Sequence, residues 1–454
     1  MRNCAVLAFP FAGHARPLLG LVCRLAGEEM LSDVTFSFFS TAECNSTMFY
    51  GTECGLLPPN IVPYDIPDGT LLDHEFSGNP HEPADLFLRS ARERFVEGME
   101  LAEAETGVPI SSVIADAFLT FVGGFAEGLG IPWVLVWVSM PFGLYVYYEI
   151  DLIRRMAREG NVGAGIIPGV PEMVVEDLPE GILFAGEFDE SSTLIETLNN
   201  MGKEMTRATA IVVNFCPELD PTTFSSDLGR KLTNLLHVGF LTMSLPKPML
   251  PATNTDIRTD VITWLGSLKP GSVAYICFGT IARLPLNELC PLAEALETSG
   301  IPYIWSLPRD HVNRLPDGFQ DRTRTQGRIL SWAPQTEILA DPATGVFVTH
   351  CGSNSVFESV ANGVPMICRP FFGDHRMNGR MVDEVWKIGI TLHGGKITKQ
   401  NMVESLRVVF SDKNGEQMKR NARDLQELAK EAAVPDGKAT GDLKKLTKII
   451  TRGQ

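Results

Sequence analysis

Two stretches of the chain combine residue types that could do chemistry. The first is GVFVTHCGSNSVFESVANG, residues 345–363, where a strand-like apolar run ends at His350 and a helical apolar period follows. Between them stand Cys351, Gly352, Ser353, Asn354 and Ser355. Gly352 lets a ligand approach the backbone, Asn354 and Ser355 are capping residue types, and the N–H groups at a helix start attract anions. A diphosphate suits such a place. Taken alone, the same residues also make an ordinary capped helix.

The second stretch is PFAGHARP, in which His14 follows the first apolar run and Pro17 is placed as the first residue of a helix. The positive potential of a helix start disfavours an imidazolium, and neutral imidazole is the form that removes a proton. Asp116, in VIADAF, ends another strand-like run on the side where α/β sheets bind ligands. It is expected to reach the far ring nitrogen of His14, fix its tautomer and stabilise the imidazolium. Each residue also has a plainer reading: a surface histidine, and a strand-end aspartate capping the next helix.

A longer pattern surrounds the first stretch. Within the 44 residues from Trp332 to His375 come WAPQ, HCGSNS, Glu358, GVP at 363–365 and finally Asp374 and His375. This resembles the donor-binding box of plant family-1 UDP-glycosyltransferases. The phrases AVLAFPF, SSVIADAF, CRPFFGD and NGRMV are most similar to the flavonoid 3-O-glycosyltransferase branch. The resemblance implies that Trp332 stacks on uracil, that Ala333 and Gln335 contact base and ribose, and that Glu358 accepts from the ribose hydroxyls. It assigns the phosphates to His350, Ser355 and the backbone of Gly352 to Asn354, with Thr280 in the FGT turn closing the pocket. Asp374 and His375 would also contact the UDP-sugar, with Ser353 and His375 at its sugar end. It also makes His14 the general base of an inverting displacement, in which UDP leaves with its charge stabilised by the helix start. No metal cofactor is expected, since no HxxH, DxD or clustered-carboxylate pattern supplies one.

Three positions depart from the commonest form of the box and its surroundings. Ser353 stands where Trp is usual, His375 where glucosyltransferases commonly have Gln, and Val138 where many relatives have a Thr that reaches the sugar 6-hydroxyl. A valine would leave a hexose 6-hydroxyl unpaired, at a cost of about 1 to 3 kcal/mol. A 6-methyl sugar would not meet that cost. UDP-rhamnose therefore ranks first as donor, with UDP-galactose, UDP-arabinose and UDP-glucose behind it. The implied acceptor is a flavonol or related flavonoid, taken at its 3-hydroxyl, with Phe11, Phe118, Trp137, Met140 and Phe142 as the apolar clamp. A non-catalytic flavonoid-binding protein is the alternative of another class, and the presence of both His14 and Asp116 speaks against it.

Those residues need elements to hold them. At 454 residues the chain exceeds one ordinary hydrophobic core, and 44% apolar with 21% charged residues is a globular composition. Short apolar runs at 4–9, 34–39, 111–118, 133–138 and 210–215 alternate with helical patterns. A second series follows at 272–279, 302–307, 345–350 and 365–370. Such alternation predicts parallel α/β layering. The expected architecture is α/β of the GT-B type, two Rossmann-like domains facing across a cleft. Residues 1–240 would bind the acceptor, the proline-rich 241–256 would link, 257–436 would bind UDP-sugar, and a final helix in 437–454 would cross back to the first domain.

A net charge of −16 argues against a nucleic-acid surface. Nine cysteines without a CxxC pair read as reduced thiols, which predicts a cytoplasmic protein. The charge-free stretch from Ile131 to Tyr148 is interrupted by Pro132, Pro141 and Gly143, so no membrane span is expected. The sequence sets no oligomeric state.

Overall fold

The computed structural model describes residues 1–10, 12–50, 57–71, 73–77, 79, 81–159, 173–183, 192–220, 224–245, 252–280, 282–411, 413–434 and 437–451. The chain divides into two units. The first joins Met1–Val175, Glu180–Met249 and Glu431–Gln454, and the second joins Leu250–Lys430 with the short piece Glu176–Pro179.

The first unit is built on seven strands: β1 (Arg2–Leu7), β2 (Val34–Thr41), β3 (Ile61–Ile66), β4 (Ile110–Asp116), β5 (Trp133–Trp137), β6 (Ala210–Val213) and β7 (Leu235–His237). They lie in the order β3-β2-β1-β4-β5-β6-β7, every pair parallel. Helices cover both faces of such a sheet, so its central strands are buried along nearly their whole length and do not alternate between core and solvent. The strand order reverses between β1 and β4, and at that switch point a crevice opens beyond the carboxyl ends of the strands.

The second unit repeats this scheme with β8 (Val273–Cys277), β9 (Tyr303–Ser306), β10 (Gly327–Leu330), β11 (Thr344–Thr349), β12 (Met366–Cys368) and β13 (Gly389–Thr391). Their order is β10-β9-β8-β11-β12-β13, again all parallel. Its switch point lies between β8 and β11. Both candidate stretches of sequence thus follow strands that flank a switch point.

Four strands escape the sequence analysis, and all four are sheet edges: β3, β7, β10 and β13. β3 carries Pro63 and Asp65, which an edge tolerates, β10 is half-exposed along its whole length, and the other two have three residues each. The helix after β1 begins at Ala12, so Pro17 lies inside it and not at its start. His14 remains in its first turn. The proposed linker also narrows, because Leu241 is fully buried in the first core and a helix begins at Ala252.

The helix Lys438–Thr451 packs Leu443, Leu446, Ile449 and Ile450 into the core of the first unit. Its Asp442 accepts a hydrogen bond from the His237 backbone N–H at 3.0 Å. In the second unit, Arg380 donates to Asp177 of the short piece at 2.9 Å. The eight described cysteines are all free, and among the described residues no helix is long and apolar enough to cross a membrane.

Candidate functional site

At the switch point of the first unit, His14 comes from the helix after β1 and Asp116 from the end of β4. Their side chains meet, His14 Nδ1 to Asp116 Oδ2, at 2.9 Å. A carboxylate can only accept, so Nδ1 carries the hydrogen, and in the neutral ring Nε2 keeps its lone pair. Asp116 is 1% exposed and its other oxygen accepts from the Phe118 N–H at 2.9 Å. One carboxylate therefore orients the imidazole and also holds its own turn; the next helix begins later, at Val122 with Phe121 as its cap, so Asp116 does not cap it. The rings of Phe118 and Phe9 stand edge-on to the imidazole, with centroids 4.7 and 5.2 Å away.

The other acceptor candidates lie deeper. Trp137, Met140 and Phe142 are buried, and Trp137 Nε1 donates to the Met140 carbonyl at 2.8 Å. Val138 is 8% exposed and its side chain belongs to the core cluster of the first unit. Phe11 lies outside the described residues.

At the switch point of the second unit the turn after β11 leads into the helix Ser353–Ala361. The cap of that helix is Gly352, whose side chain offers no oxygen, so Asn354 and Ser355 lie in the first turn and do not cap it. Gly352 gives the helix start no side-chain cap, and the leading amides of a helix suit an anionic acceptor. His350 sits against two glycines. A Cβ on Gly279, which has φ +79°, would stand 2.9 Å from the His350 ring, and one on Gly352 would stand 2.5 Å from it. Gly279 and Thr280 form the exposed turn after β8. Burial, then the neighbouring His375, pushes the His350 imidazole down to about 3, so it is neutral at physiological pH.

The remaining box residues fall into two groups. Gln335, at the start of the helix Gln335–Ala340, donates to Glu358 Oε2 at 2.6 Å and to Ser355 Oγ at 3.1 Å, and its carbonyl oxygen accepts from Tyr275 at 3.2 Å. Trp332 and Ala333 precede it, both half-buried. At the other end, Ser353 Oγ donates to Asp374 Oδ2 at 2.9 Å, and the His375 ring stands edge-on to His350 with centroids 4.9 Å apart.

The match to known proteins runs along the same residues. Residues 194–435 match the family described as UDP-glucoronosyl and UDP-glucosyl transferase. A flavonol 3-O-glucosyltransferase of Actinidia chinensis var. chinensis is 42% identical over 99% of this chain and 96% of its own length. The chain is a plant family-1 UDP-glycosyltransferase. Its branch is that of the flavonoid 3-O-glycosyltransferases. An anthocyanidin 3-O-galactosyltransferase of Rhododendron delavayi is 40% identical to this glycosyltransferase over 99% of the chain and 97% of the relative. Among solved structures, a UDP-glucose:anthocyanidin 3-O-glucosyltransferase in complex with UDP aligns at a TM-score of 0.91 with 38% identity, over 99% of both chains. The fold of the glycosyltransferase is GT-B, α/β with two Rossmann-like domains.

Two features of the site were not singled out in the sequence. Gly279 makes room for His350, and its only signal was a glycine directly after a strand. Asn378 lies beyond the box, in NGRMV, yet it is fully buried against Ser353 and Asp374. Among the described residues no three His, Cys, Asp or Glu side chains gather as a metal site would require.

Proposed function

We propose that this glycosyltransferase moves one sugar from a UDP-sugar to the 3-hydroxyl of a flavonol or anthocyanidin, with inversion and without a metal, in the cytoplasm. The observation that carries the chemistry is the 2.9 Å pair of His14 and Asp116, which puts the ring hydrogen on Nδ1 and so leaves the lone pair of the neutral imidazole on Nε2, the atom that can take a proton. His14 removes the phenolic proton, the oxygen bonds to the anomeric carbon, and the bond from that carbon to UDP breaks. Asp116 stabilises the imidazolium. The leading amides of the helix Ser353–Ala361 and neutral His350 receive the charge of the departing diphosphate. Trp332, Ala333, Gln335 and Glu358 hold the uridine, while Ser353, Asp374 and His375 face the sugar. Phe118, with its ring against His14, is the best supported of the acceptor residues.

For the donor we put UDP-glucose and UDP-galactose ahead of UDP-rhamnose. The relatives named above are glucosyl- and galactosyltransferases. The argument for a 6-deoxy sugar needs Val138 as a pocket wall, and its side chain packs into the core. Rhamnose stays as the second reading because Val138 offers no hydroxyl to a 6-hydroxyl group.

One experiment tests all of this. The protein is given quercetin and an equimolar mixture of the three UDP-sugars, with and without EDTA, and products are read by mass and chromatography. A 3-O-hexoside formed at the same rate with EDTA is expected. A rhamnoside would overturn the donor order, and a rate lost to EDTA and restored by Mn²⁺ would overturn the metal-free step. Tight quercetin binding with no UDP release would point to a flavonoid carrier.

A further inference from the structure

We propose that Asn378 is a positioning residue that ties the diphosphate end of the donor site to its sugar end. The inference rests on reading this site as a UDP-sugar site. Asn378 lies in the helix His375–Arg380 and is 0% exposed. Its side-chain nitrogen is 2.7 Å from the Cys351 carbonyl, 3.1 Å from Ser353 Oγ and 3.1 Å from Asp374 Oδ2. A carbonyl and a carboxylate can only accept, so the amide orientation is fixed, with the nitrogen facing all three. Ser353 accepts from Asn378 and passes its own hydrogen to Asp374. The amide oxygen of Asn378 has no donor among the described residues.

What the nitrogen holds is unusual at both ends. Cys351 has φ +67°, a left-handed backbone that a residue with a Cβ seldom adopts. That conformation turns the chain from β11 into the helix whose leading amides face the phosphates. Its carbonyl receives the shortest of the three bonds. At the other end, Asp374 is the carboxylate assigned to the sugar, and Ser353 with Asn378 fixes which way it points. One side chain thus sets the orientation of the phosphate-binding amides and of a sugar-binding carboxylate.

The test measures UDP affinity by calorimetry, and the donor and acceptor KM in the full-length protein. Asn378→Ala is expected to weaken UDP, which carries no sugar, by about tenfold, the worth of one good hydrogen bond. The UDP-sugar KM should rise further than that, because Asp374 is also released, while the flavonol KM stays unchanged. If Asn378→Ala does not fold, Asn378→Ser carries the same test, since one hydroxyl cannot reach both ends. Thr391→Val is the control, removing a 3.0 Å bond from Thr391 Oγ1 to the Gly379 carbonyl of the same helix without touching the turn. A folded Asn378 variant with wild-type UDP affinity and donor KM would overturn the inference, as would equal losses in Thr391→Val. A wild type that does not bind UDP would overturn the donor-site reading and this inference with it.

Discussion

Replacing Asp116 by Asn changes one atom and separates the two duties of that side chain. Its oxygens accept from His14 Nδ1 and from the Phe118 N–H, both at 2.9 Å. An amide has one oxygen for two donors. If the oxygen stays with Phe118, the NH2 group faces Nδ1, which must then accept, and the ring hydrogen moves to Nε2. The lone pair needed for proton removal is gone. If the oxygen turns to His14 instead, the NH2 group meets the Phe118 N–H and leaves a buried donor unpaired, at about 1 to 3 kcal/mol. The first arrangement costs less, so the wrong tautomer should dominate. General-base catalysis is worth about 10² to 10⁴-fold, and kcat should fall within that range. UDP affinity should hold, because no donor-binding residue is touched. The assay is initial-rate UDP release at saturating donor and quercetin, beside a thermal melt and a UDP titration. A variant that keeps its melt and clearly more than about a hundredth of wild-type kcat would refute the tautomer argument, for which a loss of at least about 10² is required.

His14→Ala should lose turnover by a similar factor with UDP affinity intact, read in the same assay. Gly279→Ala places a methyl 2.9 Å from the His350 ring on a residue with φ +79°, so the UDP-sugar KM should rise several-fold while the flavonol KM holds. His237 is held down to about 4, chiefly by burial, against about 6.5 unfolded. The unfolded chain therefore binds the extra proton. Stability from this residue is complete above about 6.5 and falls as pH drops towards about 4, by up to about 3 kcal/mol. Melts across that window should show the fall, and His237→Gln should flatten it.

Much of the site could be read from the sequence because its parts are contiguous. The turn 350–355 announces itself by a strand, a glycine and a helix in succession, and His14 and Asp116 each close an apolar run. The central strands were legible for the same reason, being buried on both faces. The edge strands β3, β7, β10 and β13 were not, since their residues answer to solvent on one side. Val138 failed differently: its type was clear, but whether a valine after a strand faces a pocket or a core depends on packing that no local pattern encodes. Asn378 was invisible because its partners are brought together only by the fold.

The helix Lys438–Thr451 has a consequence for how the molecule is made. A ribosome emits residues in order, so the second unit, which ends at Lys430, is complete while the first still lacks Leu443, Leu446, Ile449 and Ile450 from its core. Nearly the whole polypeptide must emerge before its earliest strands are sealed. Until then the nascent chain carries a finished module behind an unfinished one, with apolar sheet surface open to holding factors. Truncation within the last fourteen described residues should therefore damage the unit synthesised first and spare the one beside the cut.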